Sequence, residues 1–225
     1  MSRGLVTLTL VVWSFAALAA NDQIPQAPRL EYVPPPPGSY ALPAIQRAPN
    51  GVVLAADGTS QPLALYTTGR ITLLSFIYTY CTDPVGCPLA YNTFVAVRAR
   101  LLERPELARH VRLVSLSFDP THDTPEELRA YGGKYLKSDA ELTWSFLTTH
   151  SVKTLMPLLD GFGQDVAVEL DERGRPTRAI NHMLKVFLID RHGAVREIYS
   201  VEFLFPEVVL NDIKTLLIEE GVNVD

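Results

Sequence analysis

The sequence predicts a mixed α/β domain, because apolar runs of strand length alternate with helical patterns. Residues 71–78 and 111–118 each predict a buried strand that is followed by a helix. Nearer the C-terminus, two apolar runs flank a turn and predict a hairpin, and an amphipathic helix closes the chain. This order is typical of a thioredoxin-like fold, in which helices flank a central mixed sheet.

Local signals support the individual elements. The turn signal Asp57-Gly58 lies between apolar residues 52–54 and 62–65 and predicts an N-terminal hairpin. Thr124-Pro125-Glu126-Glu127 forms a capping box that starts a helix ending near Lys137. The remaining predicted elements are a helix after residue 87, a strand at 142–147, a helix at 154–161 in which Pro157 requires a late start or a kink, strands at 183–189 and 194–200, and a helix at 206–220.

The N-terminus carries the pattern of an export signal. A basic residue precedes an uncharged, mostly apolar run at 4–20 that ends in the small-residue pattern Ala17-Leu18-Ala19. This run falls short of the roughly 20 residues that a spanning helix needs, so we predict a signal peptide over 1–20, with an uncleaved anchor as the alternative. Proline-rich residues 21–39 predict an extended linker, and 40–225 form the predicted domain. The predicted location is the periplasm or another exported compartment, close to the membrane if the anchor is kept.

Composition narrows the classes of function. The net charge is −5 and the chain has no basic run, so nucleic acid is not an expected partner. Two cysteines are too few for a disulfide scaffold. In an oxidising compartment, their close spacing indicates a reversible pair, a metal site or a single structural disulfide.

Both cysteines, Cys81 and Cys87, lie on the segment that joins the first buried strand to its helix. The free N–H groups and the dipole at a helix N-terminus stabilise negative charge, so this location favours the thiolate form of both side chains. Thiolate is the form that binds soft metals and attacks disulfides. Inert thiols or a structural disulfide remain the alternative interpretation.

A histidine is the natural third ligand, and His182 has the best position among five candidates. It precedes a predicted strand, and in a thioredoxin-like sheet the chain leading into that strand faces the cysteine loop. Two thiolates and one imidazole suit Cu(I), and also Cu(II); zinc usually needs a fourth donor, for which Asp83 is the nearest candidate. Copper is therefore preferred to zinc. The other histidines are His110, His150 and His192, which are not expected in the site, and His122, a weak candidate for its rim.

From about residue 38 to 221, the chain resembles the Sco/SenC family, copper-binding thioredoxin-like proteins linked to the assembly of respiratory copper centres. The matching segments occur in family order: FIYTYC at 76–81 leading to CP at 87–88, SFDP and DTP within 117–125, WSFLT at 144–148, GFG at 161–163, and His182 before VFLID at 186–190. The resemblance implies that Cys81, Cys87 and His182 ligate copper. It also implies an apo copper protein, such as a subunit of cytochrome c oxidase, as the partner.

Two positions depart from the family pattern. Five residues separate the cysteines here, where the family usually has three, although a segment with Pro84 and Gly86 can still bring the thiols together. Asn181 precedes His182 where aspartate is common, which removes a carboxylate that could orient the histidine. Both departures are expected to affect the affinity for the metal more than the fold.

The expected function is an exported copper chaperone that passes copper to its target by ligand exchange. The alternative is a thiol–disulfide oxidoreductase that reduces cysteines of an apo copper protein, with Cys81 and Cys87 as the redox pair. The wide spacing and the absence of a Cys-x-x-Cys motif argue against that alternative. A peroxidase is not supported, because no Pro-x-x-x-Thr-x-x-Cys pattern surrounds Cys81.

For the polar and aromatic residues near the cysteines and His182, the sequence predicts structural roles. We interpret the carboxylates Asp119, Asp123 and Glu126 as loop and capping residues rather than acid–base catalysts. Tyr78 and Tyr80 alternate onto one face of the strand, where they wall the site or pack in the core.

Overall fold

The computed structural model describes residues 30–81, 83, 85–136 and 141–224. The strands are β1 (Gln46–Arg47), β2 (Val52–Ala55), β3 (Ser60–Pro62), β4 (Ile71–Ile77), β5 (Val111–Ser117), β6 (Thr143–Thr148), β7 (Val166–Leu170), β8 (Pro176–His182), β9 (Val186–Ile189) and β10 (Ala194–Tyr199). The helices are α1 (Ala64–Thr67), α2 (Cys87–Leu102), α3 (Pro105–Ala108), α4 (Pro125–Gly132), α5 (Val152–Phe162) and α6 (Pro206–Glu219), with a short 3₁₀ turn at Gly133–Leu136.

An eight-stranded mixed sheet forms the centre of the molecule, in the order β1-β10-β9-β4-β5-β6-β2-β3. β4, β5 and β6 are parallel, whereas β9 runs antiparallel to β4. All seven residues of β4 are buried, as expected for a strand covered on both faces. This sheet, with helices on both sides, confirms the predicted α/β class.

The period-two alternation of β4 supplies both halves of the core. On one face, Leu73 and Ile77 pack with apolar residues of α2, α4 and α6. On the other, Leu74 and Phe76 pack with α5. Phe162 of α5 and Phe187 of β9 contact the Phe76 ring at centroid distances of 5.4 and 6.1 Å.

Most predicted elements are present, with shifted ends. The N-terminal hairpin pairs β2 with β3, but its second arm ends at Pro62 and the chain turns into α1. α4 is capped by Thr124, which accepts a hydrogen bond from the Glu127 amide, and it ends at Gly132; its predicted end, Lys137, lies outside the described residues. α5 starts at Val152 behind a Ser151 capping box and runs through Pro157, so of the two predicted alternatives, a late start or a kink, the late start is wrong.

One element was missed altogether. No strand was predicted in the segment that ends at Asn181, but residues 166–170 and 176–182 form the separate two-stranded β7–β8 hairpin, and His182 is the last residue of β8. The predicted strand that follows begins at Val186 rather than at residue 183.

The described part of the N-terminal segment is hydrogen-bonded to α6. The carbonyl of Pro35 accepts from the Asn211 side chain, the amide of Gly38 donates to Thr215, and the Tyr40 hydroxyl donates to Asp212. The predicted signal peptide lies outside the described residues. Within the ranges that the structure describes, no helix has the length and hydrophobicity needed to span a membrane.

Candidate metal centre

The topology brings the cysteine segment and the chain before β9 to one edge of the sheet. Cys81 follows the C-terminal end of β4, and Ser75 near that end pairs with Val186 at the start of β9. His182 lies only four residues before Val186, so it reaches the same edge. The sequence-based expectation that the chain entering this strand faces the cysteines is therefore confirmed.

The two cysteines are in contact and both are free thiols. Cys87 is the first residue of α2 and is 2% exposed, whereas Cys81 is only partly buried. Both border an open cleft of about 320 Å³, which we call the thiol cleft. Three tyrosines contribute to its walls, which comprise Tyr78, Thr79, Cys81, Cys87, Pro88, Tyr91, Asn92 and Tyr131.

Ionisation of the two thiols is strongly unequal. The pKa of Cys81 is lowered to about 6, chiefly because the Cys87 thiol donates a hydrogen bond to its sulfur. Burial opposes this shift, while the amides of Cys87 and Asp83 and the hydroxyl of Tyr78 add to it. The amide of Cys87 is at the N-terminus of α2, so the predicted stabilisation of thiolate by the helix is confirmed for Cys81.

The same prediction is wrong for Cys87. Its pKa is raised, first because its proton is shared with the Cys81 sulfur and then because the side chain is buried beside a negative charge. At neutral pH the pair therefore consists of one thiolate and one thiol that donates to it.

His182 presents one ring nitrogen for a ligand. Its Nδ1 lies 3.0 Å from the carbonyl oxygen of Ile180, and because a carbonyl only accepts, Nδ1 carries the hydrogen. The lone pair of the neutral ring is then on Nε2, which is buried and has no hydrogen-bond partner. A backbone carbonyl at the opposite nitrogen is a common way to orient a metal-binding histidine. A buried and unpartnered lone pair fits a metal ligand, since otherwise its desolvation is uncompensated.

Tyr78 connects the histidine to the thiols. Its hydroxyl is hydrogen-bonded to Cys81, and its ring lies edge-on to the imidazole of His182 at a centroid distance of 5.9 Å. Burial, followed by the charge of Cys81, raises the pKa of Tyr78 to about 12, so it remains a donor. Phe118 completes this contact, with its ring 4.6 Å from the imidazole. Tyr78 thus lines the site and also packs in the core, so both sequence-based interpretations hold for it. Tyr80 lies beyond the end of β4 and is half exposed, so its predicted place on the same strand face is wrong.

The three predicted ligands are neighbours but are not gathered around one point. Among the described residues, no group of three His, Cys, Asp or Glu side chains is close enough together to hold a metal ion. The structure brings Cys81 and Cys87 into contact, and it places His182 on the other side of Tyr78.

The other candidates are placed elsewhere or serve local structure. His110 and His192 lie at the opposite edge of the sheet, before β5 and after β9, and His150 contacts Ser60. His122 is near the site, with Nδ1 2.8 Å from an oxygen of Asp119. Asp83 is exposed and accepts a hydrogen bond from the amide of Val85, and Asn181 is exposed on β8.

Two features of the site were not foreseen. Asp123, interpreted as a loop residue, is buried and accepts hydrogen bonds from Thr79, two residues before Cys81. The β7–β8 hairpin also contacts the cysteine segment: the guanidinium of Arg178 lies 4.3 Å from the centre of the Tyr80 ring. Asp123 is the first residue of the DTP motif, and its partner Ser117 is the first residue of SFDP, but only the fold shows that they are in contact.

Comparison with solved structures finds proteins of the same fold. Copper-bound ScoI of Bradyrhizobium japonicum has a TM-score of 0.60 at 22% identity, over 76% of this chain and 99% of that one. Copper-bound ScoI of Arabidopsis thaliana has a TM-score of 0.61 at 17% identity, over 76% and 98%. A SCO1/SenC family lipoprotein from Bacillus anthracis has a TM-score of 0.57 at 25% identity, over 76% and 95%.

These similarities confirm the thioredoxin-like fold, and copper, the predicted cofactor, is the metal bound in two of the three structures. No curated protein sequence matches the chain. The family model described as SCO1/SenC matches residues 63–218, which is well over half of the sequence. The protein therefore belongs to the SCO1/SenC family.

Proposed function

We propose that the protein binds copper as cargo through the sulfurs of Cys81 and Cys87 and through Nε2 of His182. The observation that carries this proposal is the buried, unpartnered Nε2 of a histidine whose ring contacts Tyr78, the tyrosine that is hydrogen-bonded to Cys81 of the thiol pair. Thiolates favour Cu(I), and an added imidazole also accommodates Cu(II). The residues that hold copper do no covalent chemistry; they bind, orient and release it.

Copper binding requires side chains of the metal-free site to move. Cys87 must lose its proton, and His182 must approach the thiols past the edge of Tyr78. The β7–β8 hairpin that carries His182 forms its own sheet and is largely exposed, so its displacement disturbs little of the core.

As a chaperone, the protein would deliver copper to an apo copper protein by ligand exchange. A structurally similar protein, BsSco, is described as a member of the Sco family of cytochrome c oxidase assembly proteins, which supports a subunit of that oxidase as the target. Delivery to such a subunit agrees with the exported location that residues 1–20 predict. Intact-mass measurement of exported protein tests this location: loss of the signal supports cleavage, whereas full-length mass supports an anchor.

Anaerobic Cu(I) titration against a competing chelator is the direct test of the metal site. We expect one equivalent per chain, loss of tight binding in Cys81→Ala and Cys87→Ala, and weaker binding in His182→Ala. His192→Ala is the matched control, because it removes an exposed imidazole at the opposite edge of the sheet. Unchanged binding in both cysteine variants refutes the ligand set.

The unequal thiols favour one second candidate, a thiol–disulfide oxidoreductase for the same target. A partly exposed thiolate at Cys81 is placed to attack a disulfide, and buried Cys87 is placed to resolve the mixed disulfide. In that case His182→Ala should leave the rate of target reduction unchanged, whereas Cys87→Ala should trap the mixed disulfide.

A further inference from the structure

The carboxylate of Asp123 is the most deeply buried acidic group near the thiol cleft, with 1% exposure. Oδ2 accepts from the Ser117 hydroxyl at 2.6 Å and from the Thr79 amide at 3.1 Å, and Oδ1 accepts from the Thr79 hydroxyl at 2.5 Å. No Lys, Arg or His among the described residues forms an ion pair with it. A buried charge of this kind is tolerated only because neutral donors replace its water.

Its donors lie where the chain leaves the sheet toward the site. β4 ends at Ile77, and Thr79 is bound by both its amide and its hydroxyl. The next fixed point is the amide of Cys81, which donates to the carbonyl of Tyr78 at 3.3 Å. Holding Thr79 therefore fixes the direction in which the segment carrying Cys81 departs.

We propose that Asp123 is a positioning residue for the thiol pair, which acts through Thr79 and sets where the Cys81 sulfur lies relative to Cys87. It touches neither thiol. The carboxylate suits this role because it is acceptor-only and faces three donors; an amide at the same position would direct N–H groups against at least one of them. This inference refines the site used in the proposed function, but it concerns the thiols themselves and can be tested without metal.

The thiol–disulfide equilibrium with glutathione measures this positioning. Glutathione disulfide takes two electrons from the pair, so that an S–S bond forms between Cys81 and Cys87 while the S–S bond of glutathione disulfide breaks. The proton of Cys87 passes to one of the two glutathione thiolates released, and the other takes its proton from water. Asn in place of Asp123 loosens the segment and lowers the effective concentration of one sulfur at the other. It also removes a negative charge near the thiolate, which stabilises the reduced form, so both effects make the disulfide easier to reduce.

The experiment compares Asp123→Asn and Thr79→Val with the control Asp212→Asn. Asp212 is also buried, with 4% exposure, and accepts hydrogen bonds from Tyr40 and Tyr199 at α6, away from the thiol cleft. We expect the equilibrium constant for disulfide formation to fall about tenfold in Asp123→Asn, equivalent to about 30 mV for a two-electron couple. Thr79→Val keeps the amide bond to the carboxylate, so its decrease should be smaller, about threefold. Asp212→Asn should keep the wild-type constant even though it lowers the unfolding temperature.

Two outcomes overturn the inference. Wild-type constants in Asp123→Asn and Thr79→Val, whatever happens to their unfolding, mean that Asp123 only stabilises the fold. An equally large change in Asp212→Asn means that general destabilisation, not positioning, moves the equilibrium. If Asp123→Asn does not fold, Thr79→Val decides by the same criterion. Failure of wild-type protein to bind Cu(I) would refute the copper proposal, but the positioning role of Asp123 would still be tested by the glutathione measurement.

Discussion

Cys87→Ala tests the origin of the Cys81 thiolate. The hydrogen bond from the Cys87 thiol is the largest cause of the Cys81 pKa of about 6, so removal of that thiol should raise the pKa toward the ordinary value of about 8.5. At pH 7, a thiol with a pKa near 6 is about 90% ionised, and one with a pKa near 8.5 is about 3% ionised. The rate of alkylation of Cys81 by iodoacetamide at pH 7 should therefore fall by up to about 30-fold. The decrease is smaller to the extent that the amides of Asp83 and residue 87 continue to donate.

Cys87→Ser is the matched control, because a serine hydroxyl still donates to the Cys81 sulfur. Alkylation of the single remaining cysteine is followed from pH 4.5 to 9.5, and the midpoint of the rate profile gives its pKa. We expect the midpoint to stay low in the serine variant and to rise in the alanine variant. Equal midpoints in the two variants would show that the helix N-terminus, not the neighbouring thiol, lowers the pKa of Cys81.

Other consequences can be measured independently. Tyr78→Phe removes a donor to the Cys81 sulfur, so the pKa of Cys81 should rise and its alkylation at pH 6 should slow several-fold. Phe187→Ala opens a cavity between two phenylalanine rings in a fully buried position, and denaturant unfolding should show a loss of about 3–5 kcal/mol. Ser151→Ala removes the N-cap of α5 and should cost about 1 kcal/mol in the same assay. In His182→Ala, where no imidazole proton enters the count, Cu(I) binding in weakly buffered solution should release about one proton at pH 8, from Cys87, and about two at pH 5, where Cys81 is also protonated.

The buried frame of the fold is predictable because its signals are local. β4, β5 and β9 are short apolar runs bounded by polar residues, and they are buried along almost their whole length. The caps at Thr124 and Ser151 also act within one turn, although only the first was recognised from sequence. By contrast, residues 63–65 are apolar without being in a strand, since Leu63 is buried at the start of a short helix instead.

The β7–β8 hairpin escaped prediction because most of its side chains are exposed, so no apolar face marks it. A weaker signal was available. Val166, Val168 and Leu170 alternate with more polar residues, and Gly174, with φ of 73°, follows in a turn that suits glycine. Reading that alternation would have placed His182 at the end of a strand rather than in a loop.

At the site, the ligand candidates could be identified from sequence but their interactions could not. Asp123 and Thr79 are 44 residues apart, and no spacing rule connects them before the strand order is known. The inequality of the thiols was also hidden, because it depends on which sulfur is buried and which one receives the amides.

The position of the cysteines along the chain explains that inequality. Cys87 begins α2 and points into the apolar layer under Tyr78, so its sulfur is poorly placed to hold charge. Cys81 precedes the turn that leads into the helix, and there its sulfur collects N–H groups from Asp83 and Cys87 together with the thiol proton. The Cys81 sulfur is thus a hydrogen-bond acceptor that the fold has preorganised, and the Cys87 thiol keeps its proton and donates it to Cys81. A soft cation that replaces this proton removes the reason for the inequality, because the metal charge stabilises both thiolates at once. In the proposed site, copper and the proton would therefore compete for the same position between the sulfurs.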